Sequence, residues 1–189
     1  AGKSATVTGG TYGWSIDEDT ELVNLQNSIL NGEVVTREPA YYAGGTAAAH
    51  SGQDWGNTYA EVDMSAQHMW YIRNGQVVLE TDVVTGEPIP SKITPEGVYS
   101  LMWKQPNSVL VGDINPDTGE PAYRTKVKYW MQVTSSGVGF HDATWQTAFG
   151  GTLYQIPGTG SHGCINMPLD QAGALFNMIE PGTPVIFHW

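Results

Sequence analysis

One cysteine and two histidines have the residue types and spacing for acyl transfer. Cys164 lies in Ser161-His162-Gly163-Cys164-Ile165-Asn166, after a glycine-containing loop over 150–160 and ahead of the last helical pattern. The thiolate is the reactive form of cysteine, and a free thiol titrating at about 8.5 is mostly protonated at neutral pH. Main-chain N–H groups near a helix start favour the thiolate. Gly163 lets a substrate backbone come close, and N–H groups around Gly163 and Cys164 can hold an oxyanion. A base must still take the proton. His141 is the best candidate, at the end of the strand-like run Val138–His141 and 23 residues before the cysteine. His162 is two residues from Cys164, which in an extended chain puts both side chains on one face. It can contact the thiol or orient the loop.

Positioning these groups requires a rigid frame, and the sequence from Thr58 onward reads as mostly β. Tyr59–Asp63 is a strand pattern. His68–Arg73 and Gln76–Val84 flank Asn74-Gly75, a strong hairpin signal because a type I′ turn needs positive φ at both central positions. Further strands are expected over Gly97–Trp103, Lys128–Val133 and Val138–His141, with a last one at Val185–Phe187. A helix after the cysteine block carries Ala172, Leu175, Phe176 and Ile179 on one face, and Pro181-Gly182 end it. Residues 58–189 therefore read as one compact, mainly antiparallel β domain with one or two helices.

Residues 1–57 have a different texture. Thr6–Ile16 reads as extended. A helical pattern opens at Asp19-Thr20-Glu21, places Leu22, Leu25, Ile29 and Leu30 at helical spacing, and stops at Asn31-Gly32. Residues 41–56 are rich in Gly, Ala and Ser and read as a linker. This small α+β segment holds too few apolar residues for a core of its own.

Composition narrows the partners. The chain has 189 residues, 40% hydrophobic and 14% charged, which suits a folded domain. Its 23 glycines and 11 prolines suit a turn-rich β protein. The net charge of −11 with only eight Lys and Arg leaves no basic stripe for nucleic acid and no electrostatic hold on an anionic membrane. With one cysteine, no intrachain disulfide can form. No apolar run approaches the roughly 18 residues of a membrane span.

The order of Phe140-His141-Asp142, a loop, then Ser-His-Gly-Cys-Ile-Asn resembles the signature of the L,D-transpeptidase (YkuD-type) family. The resemblance extends over about 58–188, including Val62-Asp63, Gln67-His68-Met69-Trp70 and Gly182-Thr183-Pro184-Val185. It implies a barrel-like or sandwich β catalytic domain that cross-links peptidoglycan. Cys164 would be the nucleophile and His141 the base, with a main-chain carbonyl at Asp142 as third partner. Ser161, His162, Gly163 and Asn166 match supporting positions, and Tyr123 and Trp145 fall where similar proteins place pocket aromatics. Residues 142–160, between His141 and Ser161, form a longer interval than the family pattern leads one to expect, which bears on the pocket rim. Residues 1–57 look like the end of the wall-binding domain that precedes the catalytic domain in Gram-positive members.

The implied reaction is a two-step acyl transfer from a tetrapeptide stem, with release of D-Ala and formation of a 3-3 cross-link to an amine acceptor. It calls for no cofactor, metal or obligate protein partner. Carbapenem β-lactams are implied as covalent inhibitors, and the expected location is extracytoplasmic, at the cell wall or the outer face of the plasma membrane. Other readings are weaker. An L,D-carboxypeptidase would use the same pair with water as acceptor. A non-catalytic wall-binding module needs neither nucleophile nor base. A papain-like protease has Cys before His, the reverse of this order. A zinc site from His141, His162 and Cys164 has an unusual spacing and no obvious fourth ligand. His50, His68 and His188 have no motif around them, and the remaining tryptophans read as core or rim.

Overall fold

The computed structural model describes residues 6–43 and 55–189 of the chain. The linker reading over 41–56 and His50 thus fall largely outside the described residues. Eleven strands and two α-helices are present among those residues. Near the N-terminus, β1 (Trp14–Ile16) pairs antiparallel with β2 (Tyr41–Ala43) around α1 (Glu18–Asn31). The helix starts earlier than the sequence pattern suggests because Asp17 caps it, its carboxylate accepting from the Thr20 N–H at 3.0 Å. Gly32 ends it in the left-handed conformation at φ 62°. The helix buries none of its residues: Leu22 is 55% exposed and Leu30 82%. The apolar spacing predicted the helix, but nothing among the described residues covers that face.

The larger part is two facing sheets. One has the order β5-β4-β3-β11-β6, from β3 (Tyr59–Asp63), β4 (His68–Arg73), β5 (Gln76–Asp82), β6 (Gly97–Ser100) and β11 (Pro184–His188). The other has the order β10-β9-β8-β7, from β7 (Trp103–Val111), β8 (Arg124–Gln132), β9 (Gly139–Asp142) and β10 (Ile165–Met167). The Asn74-Gly75 turn joins β4 to β5 with both residues at positive φ, 52° and 77°, as a type I′ turn requires. Alternation sets the inner faces. Ala60, Val62, Met69 and Tyr71 of the first sheet meet Met131, Phe140, Ile165 and Met167 of the second, all at most 2% exposed. Phe140 and Phe187 join the two sheets edge to face at 6.1 Å.

The helix α2 (Leu169–Met178) closes one end of this core with Ala172 and Leu175, both fully buried, as is Ile179 at its cap. Gly9–Tyr12 lie along β6: the Thr11 and Tyr12 N–H groups both reach the Val98 carbonyl at 2.9 Å. The N-terminal segment thereby covers an edge that would otherwise be open. Pairing is mainly antiparallel, with two parallel exceptions: β11 on β3, and β10 on β9. The second exception builds the site.

Candidate active site

In the parallel pair, Ile165 lies opposite Phe140, Asn166 opposite His141 and Met167 opposite Asp142. Directly opposed side chains share a face. Ile165 and Met167 point into the core, and the alternation turns Cys164 and Asn166 to the other side, with His141. Trp130 of β8 is the antiparallel partner of His141 and extends the same row. The 23-residue separation in sequence thus collapses to neighbouring positions on adjacent strands.

His141 is buried, and its Nδ1 lies 3.0 Å from the Asp142 carbonyl oxygen. A carbonyl only accepts, so Nδ1 carries the hydrogen and Nε2 keeps the lone pair. The Asp142 carboxylate is engaged elsewhere: it accepts from the Lys128 and Tyr129 N–H groups, each at 2.8 Å, and ties β8 to the end of β9. Trp130 and Trp145 stand about the imidazole with ring centroids 6.0 and 5.8 Å away. Burial holds the His141 pKa below the usual imidazole value, partly offset by the Asp142 carbonyl.

Burial pushes the Cys164 thiol up to about 11, with a main-chain hydrogen bond at Gly139 pulling the other way. The thiol donates weakly to the Gly137 carbonyl at 3.5 Å. This corrects the expectation that a helix start favours the thiolate. Strand β10 stands between Cys164 and α2, which begins only at Leu169. Desolvation dominates, so thiol and imidazole both rest in their neutral forms near pH 7.

The loop before the cysteine is held by side chains on both sides. Ser161 donates to the Cys164 carbonyl at 2.5 Å and accepts from the Gly163 N–H at 3.0 Å. The Gly163 N–H is therefore occupied, which leaves the Cys164 N–H as the remaining candidate of the two for an oxyanion donor. Gly163 sits at φ 115°, a region that favours glycine. Thr94 donates to the Gly163 carbonyl at 2.8 Å and accepts from the Gly86 N–H at 3.0 Å. Gly86 packs against this loop with no room to spare. A Cβ there would come within 3.0 Å of the Gly163 Cα and within 2.9 Å of the Thr94 nitrogen, and would overlap the Lys92 carbonyl. Gly86→Ala is expected to cost at least about 1–3 kcal/mol by overpacking. It should also slow Cys164 alkylation more than the loss of folded protein accounts for. Thermal denaturation paired with alkylation kinetics checks this, and unchanged values in both would refute it.

Two cavities meet at the thiol. The first, about 470 Å³, has His141, Trp145, Gln146, His162 and Asn166 in its wall. The second, about 530 Å³, runs along β7 past Gln105, Val109 and Val111 to Trp130 and Gly137. Leu110, Tyr123 and Cys164 belong to both. Tyr123 stands at the junction, its ring 5.0 Å from that of exposed His162. Trp145 lies half-exposed at the rim.

In the first cavity, Gln146 Nε2 donates to the Thr159 carbonyl at 3.2 Å, which fixes its amide orientation. Its Oε1 then accepts from Asn166 Nδ2 at 2.5 Å. Asn166 Oδ1 is left buried without a partner. Among the described residues, no group of three or more His, Cys, Asp or Glu is arranged to hold a metal.

The family model for the L,D-transpeptidase (YkuD) catalytic domain matches residues 57–187. The chain belongs to the L,D-transpeptidase family. A solved cysteine-to-serine mutant of the Enterococcus faecium L,D-transpeptidase is 42% identical, with a TM-score of 0.78 over 96% of this chain and 68% of that one. The E. faecium catalytic domain acylated by ertapenem is 46% identical, with a TM-score of 0.59 over 69% of this chain and 96% of that one. L,D-transpeptidase 1 of Mycobacterium tuberculosis is 31% identical over 126 residues, 65% of this chain and 47% of its own length. The chain thus spans about half the length of the curated relatives it matches. The mainly β fold with two helices is the one these transpeptidase catalytic domains share.

Within this L,D-transpeptidase domain, the structure brings together Cys164, His141, Ser161, Gly163, His162, Tyr123, Trp145 and Asn166 about the two cavities. Only the Asp142 side chain stands apart, while its carbonyl meets His141. Sequence reasoning missed Gly86, Thr94, Trp130 and Gln146. Trp130 was read as core or rim; the others carried no motif and reach the site only through the fold.

Proposed function

We propose that the protein is a peptidoglycan L,D-transpeptidase, with Cys164 as nucleophile and His141 as base. The observation that carries this reading is the His141 tautomer, fixed by the Asp142 carbonyl, on the same face and in the same cavity as the one thiol. Both groups start neutral. As the sulfur attacks the carbonyl of the third stem residue, its proton passes to Nε2 of His141 and a C–S bond forms. The Cys164 N–H holds the oxyanion. Collapse breaks the C–N bond, and His141 returns the proton to the departing D-Ala nitrogen. The thioester is then attacked by the side-chain amine of a second stem, whose proton goes to His141. The C–S bond breaks, the thiol is restored and a 3-3 cross-link results. Ser161 and Gly163 hold the loop, His162 and Tyr123 shape the junction, and Trp145 and Asn166 contact the stem.

Carbapenems would acylate the same sulfur, as ertapenem acylates the E. faecium catalytic domain. The same reading carries an extracytoplasmic location, where cross-linked wall lies. It also assigns residues 1–57 to the end of an upstream wall-binding-like unit. The support for that assignment is the uncovered apolar face of α1.

Mass spectrometry of the protein mixed with a disaccharide-tetrapeptide tests the function. The expected result is a thioester adduct with loss of D-Ala, followed by a dimer joined through third residues. Release of free tripeptide without any dimer would mean that water is the acceptor and would replace the transpeptidase with an L,D-carboxypeptidase.

A further inference from the structure

We infer that Glu87 is a positioning residue for peptide binding: with Lys92 it clamps, from behind, the Gly158–Gly160 wall of the first cavity in the geometry that receives a stem peptide. The inference rests on the acyl-transfer reading above and deepens it to a residue outside the cysteine block.

A carboxylate taken out of water needs partners. Glu87 is only 7% exposed, and its Oε1 accepts two hydrogen bonds, from Lys92 Nζ at 2.9 Å and from the Gly158 N–H at 3.0 Å. Lys92 reaches it because the intervening chain turns back on itself. The Lys92 and Ile93 N–H groups both donate to the Ile89 carbonyl at 2.9 Å. The Lys92 ammonium group, then the Gly158 N–H, hold the Glu87 carboxyl below the usual carboxylate range, so the clamp is ionised at neutral pH.

The wall depends on this clamp. The Thr159 and Gly160 N–H groups turn back to the Ile156 carbonyl at 2.9 and 3.4 Å, while the Gly158 N–H meets no main-chain acceptor among the described residues. Glu87 supplies the missing acceptor from 71 residues earlier in the chain. The contact continues at Gly160, where a Cβ would come within 2.6 Å of the Glu87 Cγ and 2.5 Å of the Tyr154 carbonyl oxygen. Main-chain bonds fix the base of the clamp. The Glu87 N–H donates to the Ser161 carbonyl, and the Ser161 N–H to the Thr85 carbonyl, each at 3.0 Å.

Gly158, Thr159 and Gly160 line the first cavity, whereas Glu87 and Lys92 line neither of the two. The clamp therefore acts on a substrate only through the wall. Its counterpart on the cavity side is Gln146, whose Nε2 donates to the Thr159 carbonyl, so the wall is pinned from both sides. The reacting groups have separate supports: His141 lies in β9, and Cys164 directly precedes β10. A loosened wall misplaces the peptide and leaves thiol and base where they are. Its cost falls on binding rather than on proton transfer.

The test is steady-state turnover of a disaccharide-tetrapeptide, alongside alkylation of Cys164 by iodoacetamide. Glu87→Gln keeps the size of the side chain and gives up the ion pair. It should raise KM roughly tenfold, short of the 10²-fold that a 1 Å misplacement can cost, with kcat and the alkylation rate unchanged. Lys92→Met should act the same way, and Lys92→Arg, which retains the cation, should restore the KM. A lowered Tm with unchanged KM in Glu87→Gln and Lys92→Met would reduce the pair to a structural bond and overturn the proposal. Alkylation slowed as much as turnover would overturn it too, by placing the effect on the thiol, as would a Lys92→Arg protein as impaired as Lys92→Met. If Glu87→Gln does not fold, the two lysine variants decide by the same comparison. A wild type that neither forms an acyl-enzyme nor turns over the tetrapeptide would sink the acyl-transfer reading itself.

Discussion

Cys164→Ala should abolish acyl-enzyme formation and cross-linking while leaving the fold intact, a loss on the order of 10⁶-fold if the sulfur is the covalent nucleophile. The thiol is the only one in the chain, so no second sulfur can substitute. Its removal should disturb little else. Its hydrogen bond to the Gly137 carbonyl is long at 3.5 Å, and the loop is held by Ser161 and Thr94 rather than by the sulfur. Stability should therefore change by about 1 kcal/mol or less, as expected for deletion of a small, partly exposed group. Carbapenem labelling and thermal denaturation of the same sample separate the two effects. Retained labelling by a folded Cys164→Ala protein would place the nucleophile elsewhere.

Much of this site was legible in the sequence, for identifiable reasons. The block around Cys164 and the histidine upstream combine a nucleophile with a base, and the Asn74-Gly75 turn prescribes its own hairpin through backbone conformation. The buried strand β3 alternates cleanly. What stayed hidden depends on contacts between distant segments. Strand β7 runs nine residues from Trp103, yet the sequence suggests a strand only over Gly97–Trp103 and marks none beyond it. The strand lines a cavity rather than a core, so no apolar alternation marks it. Strand β10 has three residues and exists because β9 offers it a parallel edge. Overlooking it placed the thiol beside a helix start, whereas α2 begins only at Leu169. Gly86 and Thr94 act on Gly163 across about 70–80 residues of sequence, and nothing in their local sequence announces it.

His141→Ala should lower acylation near pH 7 by about 10²–10⁴-fold, the range typical of general-base loss, and should change the shape of the pH profile. In the wild type the working form is neutral imidazole beside neutral thiol. Its population rises as pH climbs through the His141 pKa, which burial holds below 6.5, and then stays level through neutrality. With the imidazole gone, only pre-formed thiolate can attack. A thiol pushed up to about 11 gains thiolate about tenfold per pH unit below that value. The variant's rate should therefore climb steadily through the neutral range, and its deficit should narrow as pH approaches the thiol pKa. His162→Ala should keep the level wild-type profile with a smaller loss. Its ring is exposed and packs on Tyr123, while His141 is anchored through Nδ1 to a main-chain carbonyl. Alkylation of Cys164 by a small neutral electrophile, measured across pH for both variants, reads this directly. A level profile in His141→Ala together with a steadily climbing one in His162→Ala would exchange the two roles and make His162 the base.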